Sequence, residues 1–461
     1  MKRYIISAIA GLAVLNGYAQ DVNKLIKQAD VTRIIKTLAA DDMQGRATFT
    51  PHIRQAAEFI AGEFKNIGLT PLQGNTGYLQ NFTATSVKPI STQVIINGNT
   101  VAADSVFAMA GASFKWSNND ADVQVVTIDS AKNFREEYMK YMNSGKKLLI
   151  LVNPKFAATF KRIQGRMAEG SVSLDEQSSQ SLVFVLGERA VKTFGVNYTA
   201  KIQRLPLFNV AGVIKGKTKP NEYVVFSGHY DHLGVIQPVD GDAIANGADD
   251  DASGTTAVIA LAKYYKKLNN NARTLIFVAF TAEEIGGYGS QYFSKQVNPD
   301  KTVAMFNIEM IGKPSKFGKN SAFITGYERS DFGAILQKNL KGTAFKFHPD
   351  PYPEQQLFYR SDNATLAKFG VPAHTISTDE IDIDKLYHTV NDEFSSLDMD
   401  NITSTIRAIA LSSRSIVSGK DTPKRIPKRS CKGGRARTTG SRVRRKGSVF
   451  TRVPTRSPAA A

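Results

Sequence analysis

One cysteine, Cys431, is all that the 461 residues contain. An intramolecular disulfide is therefore excluded, and any metal site must be built from histidine and carboxylate ligands. No cysteine follows the N-terminal segment closely enough to carry a lipid. Beyond that segment no stretch approaches about 18 uninterrupted apolar residues, so no membrane span is expected. An internal repeat is lacking as well. The net charge of +18 is unevenly placed. Residues 420–461 hold 14 Lys/Arg and one Asp, a net of +13, which leaves +5 for residues 1–419. The body of the chain is only mildly basic, and its composition gives no ground for expecting nucleic acid as a partner. A hydrophobic content of 42% with 22% charged residues is ordinary for a globular protein with a sizeable core.

Residues 1–19 read as an export signal. Lys2 and Arg3 precede an apolar stretch from Ile5 to Leu15, and Gly17-Tyr-Ala19 supplies small residues for cleavage before Gln20. A periplasmic or extracellular location is expected. Residues 20–82 form the first part of the main domain, with a helix opening at Thr50-Pro51 and stopping at Gly68. Ile53, Ala57, Ile60, Phe64 and Ile67 line one side of it. Residues 83–205 change to short β-like runs, Val123–Ile128, Leu148–Val152 and Leu182–Leu186, and read as an inserted β-rich module.

From residue 206 to 418 strands and helices alternate. Tyr223–Ser227 and Leu275–Phe280 are continuous apolar runs suited to strands buried on both faces. Further strands are predicted at Thr302–Ile308, Ala322–Thr325 and Ala373–Ser377, and helices at Ser253–Leu268, Phe332–Leu340 and Asn401–Ser415. The expected fold class is α/β, a mixed, mostly parallel central sheet with helices on both faces, plus the insert. Residues 419–461 are Arg, Lys, Ser, Thr, Gly and Pro with almost no large apolar residue, and read as a basic, disordered tail without a function in the main domain.

The chemistry gathers at the ends of apolar runs. His229 follows Tyr223–Ser227, and Asp231 lies two residues on, where an extended chain would aim both side chains one way and let the Asp231 carboxylate orient the imidazole. On the same reasoning His232 points elsewhere. Asp249-Asp250-Asp251 repel one another unless a cation sits among them, although acidic residues also favour a helix start. Glu283-Glu284 follows Leu275–Phe280; adjacent carboxylates point differently, so one suits a metal and the other a proton. Glu309 ends the Thr302–Ile308 run, and His388 sits in Tyr387-His388-Thr-Val-Asn-Asp392. Two histidines and three carboxylates from separate strand ends match the ligand preferences of zinc.

The order and wording of these pieces resemble the zinc-dependent exopeptidases that include bacterial secreted aminopeptidases and glutamate carboxypeptidase. The resemblance runs from Leu38-Ala-Ala-Asp-Asp-Met-Gln-Gly-Arg46 to about Ser415, and the insert resembles the protease-associated domain of many members. It implies peptide substrates and two zinc ions bridged by a carboxylate and a water. Asp250 would bridge, His229 and Glu309 would hold one zinc, and Glu284 and His388 the other. Glu283 would be the general base, Tyr387 an oxyanion donor, and Asp231 would stand behind His229. The chain departs from the family at Glu309, where most aminopeptidases have Asp, and this leaves one zinc as well as two open. It departs again at Asn363 in Ser361-Asp362-Asn363, where the family has His. His348 and His374 read as structural. An aminopeptidase is the expected activity. A glutaminyl-cyclase-like acyltransferase with one zinc would carry a single Asp in place of the three, and a metal-free binding protein on the same fold is kept open by Glu309.

Overall fold

The computed structural model describes residues 22–174 and 180–428. The proposed export signal and most of the basic tail lie outside them. The chain divides into two compact units, one made of the residues up to Asn81 and from Leu207 onward, the other of Phe82–Pro206. The long strands Leu79–Ile96 and Phe194–Ile214 carry the chain from one to the other.

The first unit is a mixed sheet between layers of helices. Its strands run in the order Lys346–Pro349, Ser321–Ile324, Ala373–Ser377, Thr302–Ile308, Lys219–His229, Arg273–Phe280 and the end of Phe194–Ile214. Four neighbours in the middle, Ala373–Ser377 through Arg273–Phe280, are mutually parallel. Their C-terminal ends therefore share one edge of the sheet, where loops of such folds gather ligands. The register sets His229 beside Phe280, and Ser227 beside Asn307.

Both faces of these strands are buried, which is why they read as unbroken apolar runs. On one face Phe226 stacks between Phe277 and Phe306, with ring centroids 5.3 and 4.8 Å away. The helices Gln28–Leu38, Pro51–Ile67, Gly254–Leu268 and Met399–Ser412 cover it. On the other, Val225, Ile276 and Met305 meet Phe293, Leu366 and Ile426. The Pro51–Ile67 helix shows the predicted logic: Ile53, Ala57, Ile60 and Phe64 are buried, and Gly68 at φ 83° closes it.

Ile426 is a correction to the expected tail. Residues 419–428 pack on this unit: Ile426 is 3% exposed, and Arg425 donates to the carbonyls of Pro299 and Thr302. A basic composition concealed one well-placed apolar side chain. The second unit is also less purely β than expected. Val106–Ala110, Ser181–Leu186, Lys147–Val152 and Val123–Ile128 form a four-stranded sheet in that order, and the helices Phe134–Met142 and Ala157–Ala168 belong to its core through Phe134, Tyr141 and Phe160. Both are short, nine and twelve residues, so the helical period repeats too few times to stand out.

Candidate metal centre

The Lys219–His229 strand ends at His229, where the chain turns. The imidazole Nδ1 lies 3.0 Å from the backbone carbonyl of Asp231. A carbonyl only accepts, so Nδ1 carries the proton, and in the neutral ring Nε2 is a bare lone pair. That lone pair faces Asp250 Oδ1 at 3.1 Å in a wholly buried position, with no hydrogen-bond geometry between them. Two electron-rich atoms so placed call for a cation.

The Asp250 carboxylate looks both ways. Its other oxygen, Oδ2, is 3.2 Å from His388 Nε2, which is also 3.2 Å from Glu284 Oε2. His229, Asp250 and Glu284 each bring one ligand atom within 4.8 Å of the others. Glu309 is close by, its buried Oε2 without a partner. The structure thus brings together His229, Asp250, Glu284 and His388, with Glu309 and Glu283 on the same cavity wall. The orphaned lone pairs and the oxygen-rich, nitrogen-containing donor set fit zinc.

Burial and neighbouring charges set the protonation states. Burial opposes ionisation of Asp250, but the imidazoles of His229, His388 and His232 beside its oxygens outweigh it and hold the group far below the usual carboxylate range. Glu283 goes the other way. Burial pushes its proton affinity well up against the opposing pull of His229, and Glu309, Asp362 and Glu284 add like-charge repulsion. His388 is raised to about 10, because Asp250 and Glu284 overcome the effect of burial.

Three side chains sit differently from the sequence expectation. The Asp231 carboxylate does not orient His229, from whose Nδ1 its Oδ1 is 3.8 Å away. It accepts instead the backbone N–H groups of Glu283 and Glu284 at 3.0 and 3.3 Å, and the Thr48 hydroxyl at 3.1 Å. Strand alternation would turn His232 away, yet its Nδ1 is 2.8 Å from Glu284 Oε1. Both corrections have one cause: the strand stops at His229, so alternation no longer governs the residues beyond it. Among the three aspartates only Asp250 faces the centre. Asp251 accepts from the N–H groups of His229, Gly254 and Met310, and Asp249 from that of Gly312 at 2.7 Å. The triple Asp therefore does not by itself distinguish one zinc from two.

The supporting frame comes from residues with no motif of their own. Asp392 receives the N–H groups of Asp249 and Asp250. Arg46, fully buried, donates to the carbonyls of Leu38, Tyr230, Asn246 and Gly247, tying together the loops on either side of the centre. Burial lowers its pKa to about 10 against the pull of Asp392, Asp231 and Asp250. Gly254 must lack a side chain, since a Cβ there would stand 2.0 Å from the Ile308 carbonyl and 2.4 Å from Asp251 Oδ1. Ala282, Met310 and His388 have φ of 60°, 50° and 59°, a conformation that costs non-glycine residues on the order of 1–3 kcal/mol. Each is a proposed ligand or adjoins a proposed site residue.

A cavity of about 90 Å³ opens beside the carboxylates, bounded by Glu283, Glu309, Phe323, Leu357, Tyr387 and His388 among others. The Tyr387 ring stacks on His388, 3.8 Å between centroids. Asn363 is structural, donating to the Phe358 and Ala373 carbonyls. So are His374, held by Thr325 and Ser330, and His348, stacked on Phe317.

Known zinc peptidases resemble this chain in sequence and in fold. The model of Peptidase family M28 matches residues 209–412. A probable zinc metalloprotease of Pyrenophora teres f. teres (strain 0-1) is 32% identical over 150 residues, covering 32% of this chain and 29% of that protein. Leucine aminopeptidase 1 of Ajellomyces capsulatus (strain H88) is 29% identical over 210 residues, covering 42% of this chain and 52% of the relative. The chain thus spans between about three tenths and half the length of these relatives. A zinc aminopeptidase structure from Bacillus subtilis superposes with a TM-score of 0.51 at 14% identity, covering 86% of this chain and 97% of that one. An aminopeptidase from Aneurinibacillus sp. strain AM-1 gives 0.50 at 18%, covering 86% and 95%. The structural likeness establishes a shared fold. The resemblance to zinc-dependent peptidases over residues 209–412 and the mixed α/β class are both borne out.

Proposed function

We propose that this chain, whose residues 209–412 match peptidase family M28, is an exported zinc aminopeptidase that releases residues from the free N-termini of peptides. The observation that carries the reading is Asp250, with one oxygen on the lone pair of His229 and the other on His388. A carboxylate so shared suits two cation positions, one completed by His229 and Glu309, the other by Glu284 and His388. Zinc bound there supplies Lewis acidity, which polarises the scissile carbonyl and acidifies water.

The remaining chemistry belongs to side chains. Glu283, with its raised proton affinity, takes a proton from the attacking water and delivers it to the leaving amine. The Asp231 carboxylate fixes the Glu283 backbone, so the base is aimed from behind. Tyr387, in the cavity wall, donates its hydroxyl to the oxyanion that develops on the carbonyl. The pattern Lys2 to Ala19 supports export to the periplasm or beyond. Residues 83–205 are read as a protease-associated-like module; among the described residues neither metal-ligand grouping falls in it.

A panel of aminoacyl and N-blocked peptides, assayed with and without a chelator, tests the reading. Free-amine substrates should be cut and the chelator should abolish cutting. Cleavage confined to N-blocked peptides would replace it with a carboxypeptidase, and cyclisation of N-terminal glutamine with an acyltransferase.

A further inference from the structure

Behind the metal centre lies a second group of charges that the proposed reaction does not use. Asp249, Asp379 and Asp384 each bring a carboxylate oxygen within 4.8 Å of the others. Asp249 is wholly buried, Asp379 is 3% exposed, and both oxygens of Asp379 are buried without a hydrogen-bond donor. Ionising all three at this spacing in a poorly solvated place is opposed by their mutual repulsion. The compensating charge is Lys313. Its Nζ donates to Asp384 Oδ2 at 2.7 Å and stands 3.4 Å from Asp249 Oδ2. The ammonium thus bridges two of the three, Asp249 and Asp384.

The placement matters because the partners lie on different ligand-bearing loops. Asp249 adjoins Asp250 and also receives the N–H of Gly312. Lys313 follows Glu309 by four residues, and its backbone carbonyl is held by Asn401 at 2.7 Å. Asp384 receives the N–H of Leu386 at 2.9 Å, in the turn that delivers Tyr387 and His388. We propose that the Lys313 ammonium is a built-in cation that keeps the loops of Asp250, Glu309 and His388 in register, and so is a positioning residue for the metal centre. The proposal rests on reading that centre as a zinc site.

Removing the charge leaves buried carboxylates uncompensated, and the strain falls on the three loops. The test uses the full chain loaded with zinc and reads zinc affinity by chelator competition. Lys313→Met should weaken zinc binding at least about tenfold, the lower end of what removing support behind a metal ligand costs. Lys313→Arg, which restores the charge, should stay within about threefold of the wild type. Lys313→Ala vacates the space between Asp249 and Asp384, beside Asp379; millimolar calcium, which prefers oxygen ligands, should raise its melting temperature and leave that of the wild type unmoved. Unchanged zinc affinity in the Met variant would overturn the proposal. So would equal weakening in Met and Arg, which would show that shape and not charge matters. If Met and Ala variants do not fold, Asp384→Asn takes their place, and zinc affinity equal to the wild type would refute the bridge. A wild-type chain that binds zinc but cuts no peptide would sink the peptidase reading alone; one that binds no zinc would sink both.

Discussion

Asp392 accepts the backbone N–H of Asp250 at 3.0 Å, and the same carboxylate takes the N–H of Asp249 at 2.9 Å. Four residues from His388, it locks the loop of the central ligand to the loop of another. Asp392→Asn would turn one of these acceptors into a donor facing an N–H group. Zinc affinity and kcat/KM are each expected to fall about 10- to 100-fold, measured by chelator competition and steady-state kinetics. A variant with native affinity would show that the loop needs no such lock.

Glu283 is positioned through its own backbone, and its side chain is free for proton transfer. Glu283→Gln should keep its zinc and lose at least about 100-fold in kcat. Metal analysis alongside the kinetics separates the two effects; unchanged turnover would remove Glu283 from the mechanism.

The two-sided arrangement of Asp250 predicts close to two zinc ions per purified chain. Glu309→Ala should lower that number toward one, since its buried Oε2 has no other partner. A wild-type value near one with full activity would exclude the two-metal scheme.

His374, held by Thr325 and Ser330 and by no proposed ligand, gives the fold an acid limb. Burial, with Arg329 nearby, lowers its pKa from 6.5 to about 4. Between these values the unfolded chain binds a proton that the folded chain refuses, so stability is intact above about pH 6.5 and falls as pH drops toward 4, by roughly 3 kcal/mol. Melting temperatures across that window should show the decline, and His374→Gln should flatten it. Parallel curves for the two proteins would assign the acid limb elsewhere.

Two truncations distinguish the packed and remaining parts of the basic segment. Deleting residues 429–461 should leave peptidase activity and melting temperature unchanged. Deleting 420–461 also removes buried Ile426, whose burial is worth about 1.5–3 kcal/mol, so the melting temperature should drop by several degrees. Equal behaviour of the two would mean that residues 420–428 contribute nothing.

The proposed ligands were legible because their positions arise from short-range pattern. An apolar run marks a strand, parallel strands end at one edge, and His229, Glu283, Glu284 and Glu309, placed just after those ends, meet there, whereas Asp250 and His388 stand further along their loops. The resemblance then supplied their roles. The supporting contacts were not legible, because each joins segments far apart in the chain. Asp231 meets Glu283 across 52 residues, Asp392 meets Asp250 across 142, and Arg46 meets Gly247 across 201. No period or spacing encodes such pairs.

By itself, then, the sequence determined the central parallel strands, the edge at which His229, Glu283, Glu284 and Glu309 gather, and the absence of thiol ligands. Only the tertiary structure decided that Asp250 alone of three aspartates faces the centre and that His232 joins it. It also turned Asp231 toward Glu283 and set Lys313 between Asp249 and Asp384. Those choices depend on how loops beyond the strand ends turn and which unpaired N–H or carboxylate each one meets, and that is settled by packing.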